Sequence, residues 1–211
     1  MHPNKFFDKI FCINLDRRPD RWEASLREFE KHRLTVERFP AVDGRALKIK
    51  TRLLPGEVGV VLSHKELLQH AKAQGYQKIL ILEDDIEFSD TFTQDWDNWS
   101  NEIPHYWEML YLGGNLVGWS PEKVTRHVFK GKHLYAIHAL GLTARTFDYW
   151  LGHINNDEQI DLTYAKHSVN FDAFLMVPRM AFQRDDFSDI QNEPSRYGFL
   201  KYGQYPEVMG R

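Results

Sequence analysis

Three consecutive carboxylates, Glu83, Asp84 and Asp85, follow a run of four aliphatic residues at positions 79–82. A short apolar run of this kind is typical of a strand buried on both faces of an α/β sheet. Adjacent acids repel one another unless water or a cation relieves the repulsion, and ligands of open α/β sheets bind beyond the carboxyl ends of the strands. The stretch therefore predicts a metal and phosphate site. An acidic loop that caps a following helix is the alternative.

A cluster of arginines follows the first predicted strand, at residues 10–15. Arg17, Arg18 and Arg21 lie where a helix is predicted to begin, over residues 19–32. The first N–H groups of a helix lack backbone partners, so a strand, a turn and a helix N-terminus commonly bind phosphate. The arginines would add positive charge to such a site. A solvated cluster of arginine and aspartate side chains is the alternative interpretation.

Strands and helices alternate through residue 88, which predicts α/β layers around a largely parallel sheet. The predicted strands are residues 10–15, 36–39, 78–82, 107–112, 123–129, 134–143 and 171–177, and the predicted helices are residues 19–32, 56–74, 91–101 and 144–153. The strands at 123–129 and 134–143 look like a pair around a short basic turn. They predict a smaller mixed or antiparallel part beside the main sheet.

Length and composition favour one soluble domain. A chain of 211 residues is long enough for one domain with a substantial core and somewhat short for two. A net charge of −3 gives no broad basic surface for nucleic acid. Cys12 is the only cysteine, which suggests a reducing compartment. Residues 1–8 lack the pattern of a signal peptide, and no apolar run approaches the length of a membrane span. We expect a cytoplasmic protein without a transmembrane segment, with peripheral membrane contact left open.

Four stretches in order along the chain resemble glycosyltransferase family 25, which includes bacterial lipopolysaccharide galactosyltransferases and is related to the collagen galactosyltransferases. They are residues 13–21, 41–44, 56–64 and 81–85. A looser resemblance covers residues 135–140, 159–161 and 188–190. Val60 departs from the pattern, since many members have cysteine there, and this should change only the packing.

The resemblance implies a GT-A-type fold, with a Rossmann-like, mostly parallel central sheet flanked by helices and a smaller mixed or antiparallel part. It implies a single domain over residues 1–211. Residues 9–112 would form the nucleotide-sugar-binding half, and residues 113–211 would form the acceptor-side half and the tail. Variable loops usually build acceptor grooves, which points to residues 115–132 and the C-terminal tail.

The resemblance also implies an activity: metal-dependent transfer of galactose or another hexose from a UDP-sugar to an acceptor hydroxyl, with inversion. Mn²⁺ or Mg²⁺ would be the cofactor, because both accept hard carboxylate oxygens. The acceptor would be a glycan, a lipid-linked sugar or a protein, as in lipopolysaccharide biosynthesis. Two alternatives remain: the same donor chemistry on a modified nucleic-acid base, and a non-catalytic domain that binds sugar or a partner.

Site residues follow by position from the resemblance. Asp85 is the expected metal ligand, the adjacent Asp84 cannot be separated from it by sequence, and Asp161 is the expected general base. The expected nucleotide-sugar-binding residues are Asn14, Arg17, Arg21, Asp43, Gly44, His64, Glu83 and His138. A lone histidine in an amphipathic helix is more often structural than functional. A structural role is therefore the alternative for His64.

Overall fold

The computed structural model describes residues 1–116, 120–190 and 193–195. The strands are β1 (Lys9–Asn14), β2 (Glu37–Pro40), β3 (Lys78–Glu83), β4 (Ile86–Phe88), β5 (Met109–Tyr111), β6 (Asn115–Leu116), β7 (Glu122–Lys123), β8 (Val128–Lys130), β9 (Leu134–Tyr135), β10 (Ala139–Thr143), β11 (Ala173–Met176), β12 (Ala181–Gln183), β13 (Asp186–Ser188) and β14 (Glu193–Ser195). The helices are α1 (Pro3–Phe6), α2 (Pro19–Lys31), α3 (Pro55–Ala73), α4 (Phe92–Trp99), α5 (Ala144–His153) and α6 (Ile160–His167), and short 3₁₀ turns lie at Gly44–Ala46, Ser100–Glu102 and Ser168–Asn170.

An eight-stranded sheet forms the centre of the protein, in the order β2-β1-β3-β10-β5-β11-β8-β7. Six strands run in one direction, namely β2, β1, β3, β5, β11 and β7. The other two, β10 and β8, run in the opposite direction. The sheet is therefore mostly parallel with an antiparallel part, and helices flank it. The predicted α/β fold class is confirmed. Strands from both predicted halves of the chain belong to this one sheet.

The central position of β10 corrects the predicted antiparallel strand pair. The stretches at 123–129 and 134–143 do not pair with each other: β8 pairs with β11 and β7, whereas β10 lies between β3 and β5. All five residues of β10 are buried. A strand buried on both faces belongs inside a sheet. Its distant partners are not visible in its local sequence, so proximity along the chain suggested the wrong neighbour.

The core lies on both faces of the sheet, and β3 shows how the sequence builds it. Ile79 and Ile81 pack with side chains of α3, α5 and α6, whereas Leu80 and Leu82 pack with those of α1, α2 and α4. All four residues are 0% exposed. Successive side chains of a strand point to opposite faces. The predicted strand buried on both faces is confirmed, and it brings the acidic residues to the end of the sheet.

Helix α6 was not expected. The sequence placed Asp161 in a loop before the last strand, but Asp161 lies in the first turn of α6. This helix has only eight residues, which is too short a segment for its apolar residues to show a helical period. Its buried residues are Ile160, Thr163, Tyr164 and Ala165. A carboxylate in the first turn suits a helix, because the N-terminal end carries partial positive charge.

The predicted acceptor loop and the C-terminal tail lie partly outside the described residues. The expected acceptor loop, residues 115–132, includes positions 117–119, and the tail from residue 192 is described only at Glu193–Ser195. Within the described part of the chain, every helix is too short or too polar to cross a lipid bilayer.

Candidate functional site

A cleft opens at the carboxyl ends of β1 and β3, beside the loop that follows β2. It encloses about 140 Å³. Its walls come from the turn after β1, the stretch before α3, the first turns of α3 and the acidic residues after β3. This is where open α/β sheets bind ligands, since loops rather than paired strands line the space. The sequence prediction for the place of the site therefore agrees with the position of this cleft.

The acidic residues after β3 form a tight turn that leads into β4. Asp84 and Asp85 are buried, with 7% and 9% of their surface exposed. Because a strand follows instead of a helix, these acids do not cap a helix. Burial raises the pKa of Asp84 to about 6, although the charge of Arg21 and a hydrogen bond from Asn14 act in the opposite direction.

Arg21 compensates the charge of both acids. Its Nη1 lies 3.0 Å from Asp84 Oδ1 and its Nη2 lies 2.8 Å from Asp85 Oδ2. Asn14 Nδ2 donates to Asp84 Oδ2 at 2.7 Å, so both carboxylate oxygens of Asp84 have partners. Arg38 Nε in turn donates to Asn14 Oδ1 at 2.8 Å. Asn14 is therefore a buried support for Asp84 and does not itself line the cleft.

Asp85 keeps one carboxylate oxygen without a partner. Its Oδ1 is buried and has no hydrogen-bond partner among the described residues. A buried polar atom without a partner is costly and calls for an explanation, of which a bound ion is one. A hard divalent cation fits an unpaired carboxylate oxygen. Asp85 is thus the better candidate for a metal ligand, and the structure separates it from Asp84 where the sequence could not.

The protein offers few other ligands for a cation. Within the described ranges, no cluster of three or more histidine, cysteine, aspartate or glutamate side chains is arranged to hold a metal ion. Mg²⁺ is commonly held by one or two carboxylates together with the phosphates of a substrate. The residues present fit that mode, in which the cation binds with its nucleotide.

Glu83 and Asp161 form a second pair of acids, because the charge of Asp161 acts on Glu83. Asp161 Oδ1 accepts a hydrogen bond from the Ile137 amide at 3.3 Å. Ala136, the residue before it, adopts a left-handed conformation with φ of 63°, which is uncommon for a non-glycine residue and often marks a functional site. Burial raises the pKa of Asp161, whereas the Ile137 and Ala136 amides lower it. Burial, then the charges of Asp85 and Asp161, raise the pKa of Glu83.

The Asp43–Gly44 turn is locked against α3. A Cβ atom on Gly44 would lie 1.8 Å from the carbonyl oxygen of Pro55, so only glycine fits. Ser63 Oγ accepts a hydrogen bond from the Val42 amide at 2.9 Å and holds the turn from below. Asp43 Oδ2 accepts from Arg17 Nε at 2.8 Å. Two family stretches, 41–44 and 56–64, therefore meet as one wall of the cleft.

The two predicted histidines are both buried. His64 lines the cleft, its Nδ1 lies 3.5 Å from Tyr164 Oη, and its Nε2 has no hydrogen-bond partner among the described residues. Burial lowers the pKa of His64 to about 4. His138 lies behind the acidic turn, with its Nε2 3.3 Å from the carbonyl oxygen of Ala181. Burial lowers the pKa of His138 as well.

Most of the predicted residues meet at this cleft. Its lining includes Arg17, Arg21, Asp43, Gly44, His64, Glu83, Asp84 and Asp85. Asn14, His138 and Asp161 are not in the lining: the first two lie behind the acidic turn, and Asp161 is held at the start of α6. Their roles toward a ligand stay predictions.

Further residues with no role predicted from the sequence also line the cleft, among them polar and glycine residues of its walls. They include Gly59, Ser63, Gln183 and Asp189. Gln183 Nε2 donates to Glu83 Oε2 at 3.3 Å, and Asp189 accepts from Arg17 Nη1 at 2.6 Å. The family resemblance of residues 188–190 was the one available signal for Asp189. Gln183 lies in a short strand, β12, whose sequence gives no comparable signal.

One solved structure with some likeness is a glycosyltransferase involved in the glycosylation of the major capsid of PBCV-1. It has 7% sequence identity and a TM-score of 0.37, and the match covers 67% of this chain and 63% of that one. A likeness this weak supports no conclusion about fold or function.

Curated relatives are more informative. Mouse procollagen galactosyltransferase 2 is 29% identical over 232 aligned positions, which cover 98% of this chain and 33% of the relative. The human protein named inactive glycosyltransferase 25 family member 3 is 30% identical over 172 positions, covering 70% of this chain and 27% of the relative. The chain thus spans a third or less of the length of these relatives.

The family itself is identified over the part of the chain that supplies most of the cleft lining. Residues 7–134 match the family described as glycosyltransferase family 25 (LPS biosynthesis protein). This range contains the four stretches of the sequence resemblance, the arginine cluster and the acidic turn. The chain belongs to glycosyltransferase family 25.

Proposed function

We propose that this protein is an active glycosyltransferase that moves galactose or another hexose from a UDP-sugar to an acceptor hydroxyl, with Mn²⁺ or Mg²⁺ and with inversion. The observation that carries the proposal is the buried Oδ1 of Asp85, which has no hydrogen-bond partner in the described part of the chain, at a cleft lined by Arg17 and Arg21. A carboxylate oxygen for a cation and guanidinium groups for a diphosphate are the two parts that donor binding requires.

The arrangement supports a division of labour among the acids. Asp85 would hold the cation, and the cation would offset the negative charge that builds on the leaving diphosphate. Asp84 is already engaged by Arg21 and Asn14, so its role is to place Arg21 and Asp85. Glu83 reaches the cleft and would contact the sugar or the ribose.

Asp161 is proposed as the base that takes the proton of the acceptor hydroxyl. In an inverting reaction the base lies on the face of the sugar opposite the leaving group. Asp161 is fixed by the Ile137 amide, and its charge acts on Glu83, which lines the cleft. Its raised pKa suits a base, since proton transfer improves as the pKa approaches the working pH.

The acceptor is proposed only as a class: a glycan, a lipid-linked sugar or a protein. The procollagen galactosyltransferase name of one relative favours galactose and a protein acceptor, and the family's description favours a lipopolysaccharide sugar. Cys12 is free and buried, which agrees with the proposed cytoplasmic location. We include peripheral contact with a membrane surface in the proposed cytoplasmic location. The net charge of −3 argues against a nucleic-acid acceptor.

A non-catalytic domain is the second candidate, because a relative named inactive is as similar in sequence as one named a galactosyltransferase. A thermal-shift screen of UDP-sugars and other nucleotide sugars, with Mn²⁺ and with EDTA, tests donor binding. Ligand at 100 times its dissociation constant should add about 2.7 kcal/mol to the free energy of unfolding. Stabilisation by a UDP-sugar that needs Mn²⁺ is the expected result, and no stabilisation by any donor in either condition would contradict the proposal. Release of UDP from the stabilising donor then separates catalysis from binding alone.

A further inference from the structure

Residues 186–190, called the strap below, run along the cleft near the end of the described chain. The strap begins in β13, and its last three residues, Ser188, Asp189 and Ile190, line the cleft. Its two acids, Asp186 and Asp189, contact the arginines that follow β1. The strap is therefore an acidic segment laid across a basic wall.

Asp189 accepts hydrogen bonds from three arginines. Its Oδ1 accepts a hydrogen bond from Arg17 Nη1 at 2.6 Å, and its Oδ2 accepts one from Arg18 Nη1. Its backbone carbonyl oxygen accepts from Arg45 Nη2 at 2.9 Å. Only 12% of the Asp189 side chain is exposed, so these ion pairs are partly shielded from solvent. Charge-assisted hydrogen bonds that are partly shielded from water are stronger than ion pairs between fully exposed side chains.

Asp186 extends the same pattern toward the acidic turn. Its Oδ2 lies 3.4 Å from Arg21 Nε, and its Oδ1 lies 3.8 Å from Arg18 Nη2. The planar fork of an arginine binds a carboxylate and a phosphate with the same geometry. Asp189 thus occupies the guanidinium groups of Arg17 and Arg18, and Asp186 lies within ion-pair distance of Arg18 and Arg21, the groups that a diphosphate would need.

The strap also limits the space in the cleft. It packs directly on the start of α3, where a Cβ atom on Gly56 would lie 2.8 Å from Ile190 Cα. With the strap in place the cleft encloses about 140 Å³. Sites for small-molecule ligands usually enclose roughly 300–1,000 Å³. The three strap residues in the lining therefore take up part of the space that a nucleotide sugar would need.

We propose that the strap is an internal competitor of the donor: Asp186 and Asp189 occupy the diphosphate subsite in the ligand-free protein, and the strap leaves it when a nucleoside diphosphate binds. The arginines exchange carboxylate partners for phosphate partners, so their buried charges remain paired throughout. This inference rests on the proposed function, because it assumes that the cleft receives a diphosphate.

The first test is calorimetric titration of Asp189→Asn with UDP, uridine and inorganic pyrophosphate in Mn²⁺. Removing one competing charge should tighten UDP binding about fivefold, in line with the strength of partly exposed ion pairs. Pyrophosphate should bind more tightly as well, whereas uridine, which lacks the diphosphate, should change less than UDP. Asp148→Asn is the matched control, because Asp148 pairs with Lys72 on the surface and is not among the described residues that line the cleft.

The second test uses the unaltered protein and does not depend on the variant folding. Hydrogen exchange followed by mass spectrometry should show faster exchange in the strap amides when UDP is added, and no change with uridine. Slower exchange with UDP would mean that the strap closes on the donor, which overturns the proposal. Weaker UDP binding by Asp189→Asn would overturn it too.

The outcomes separate this inference from the proposed function. If both proteins bind UDP and Asp189→Asn binds it no better, the strap is a fixed wall and the function still stands. If UDP binds to the Asp189→Asn variant but not to the original protein, the strap inference and the proposed function are both supported. If neither protein binds UDP or pyrophosphate, both are overturned.

Discussion

Arg21 bridges Asp84 and Asp85, with its Nη1 3.0 Å from Asp84 Oδ1 and its Nη2 2.8 Å from Asp85 Oδ2. One guanidinium therefore compensates two buried carboxylates that follow directly on the central strand β3. The bridge explains how three adjacent acids are tolerated at the end of a buried strand. It leaves Asp85 Oδ1 without a hydrogen-bond partner among the described residues, available to an additional cation.

Replacing Arg21 should destabilise the protein and make it depend on metal. Arg21→Gln leaves two buried acids without their cation, which should lower the free energy of unfolding by about 3–5 kcal/mol. Urea denaturation measures the loss, and Mn²⁺ should restore more stability to the variant than it adds to the original protein. Arg27→Gln, at an exposed position of α2, is the control. A loss no larger than in that control would contradict the bridge.

Asn14 should matter for stability more than its polar side chain suggests. It is 1% exposed and links Asp84, Arg38 and the carbonyl oxygen of Arg18. Asn14→Ala removes these hydrogen bonds from buried groups, which should cost about 1–3 kcal/mol in urea denaturation. Asn155→Ala, in an exposed loop, should cost far less. Equal costs would show that Asn14 does not support the acidic turn.

His64 should make stability fall in mild acid. Burial lowers its pKa from 6.5 to about 4 in the folded protein. Between those two pH values the unfolded chain takes up a proton that the folded protein does not, so stability decreases as the pH falls through this window. Between pH 7 and pH 4 the contribution should reach about 3 kcal/mol.

The pH effect is measured as a difference between two proteins. Urea denaturation of the original protein and of His64→Gln, at several pH values, cancels the titration of all other groups to a first approximation. The original protein should lose stability relative to the variant as the pH falls below 6.5. Parallel pH profiles would mean that His64 titrates alike in both states.

Asp161→Asn should separate binding from transfer. The asparagine carbonyl can still accept the hydrogen bond from the Ile137 amide, so the local structure should persist. Donor affinity should change little, whereas the rate of transfer should fall about 10²- to 10⁴-fold, the usual contribution of a general base. Asp157→Asn, in the exposed loop before α6, is the matched control. Near-normal turnover of Asp161→Asn would reject its role as the base.

The sequence revealed the parts of the site that are local. The apolar run of β3 and the acids after it lie within seven consecutive residues, 79–85, so strand and site could be read together. The arginine cluster likewise follows β1 within a few positions. The order of the family stretches joined these local signals into one cleft.

The rest depends on contacts between distant positions. Asp189 pairs with Arg18 across 171 positions, and β10 enters the sheet between strands that precede it by many residues. Short-range periodicity carries no information on such pairings. Helix α6 was missed for a related reason, because its burial is set by tertiary packing on eight residues. The difference between Asp84 and Asp85 also depends on distant contacts, since only their partners, Asn14 and Arg21, distinguish the two side chains.

The most direct test of the proposed activity is release of UDP from UDP-hexoses, measured for the original protein and for Asp85→Asn, with Mn²⁺ and with EDTA. Release that needs the cation, and falls by about two orders of magnitude or more in Asp85→Asn, is the predicted result, because the cation offsets charge on the leaving diphosphate. Equal release in EDTA, or in Asp85→Asn, would contradict the metal site. No release from any nucleotide sugar under either condition would contradict the activity itself.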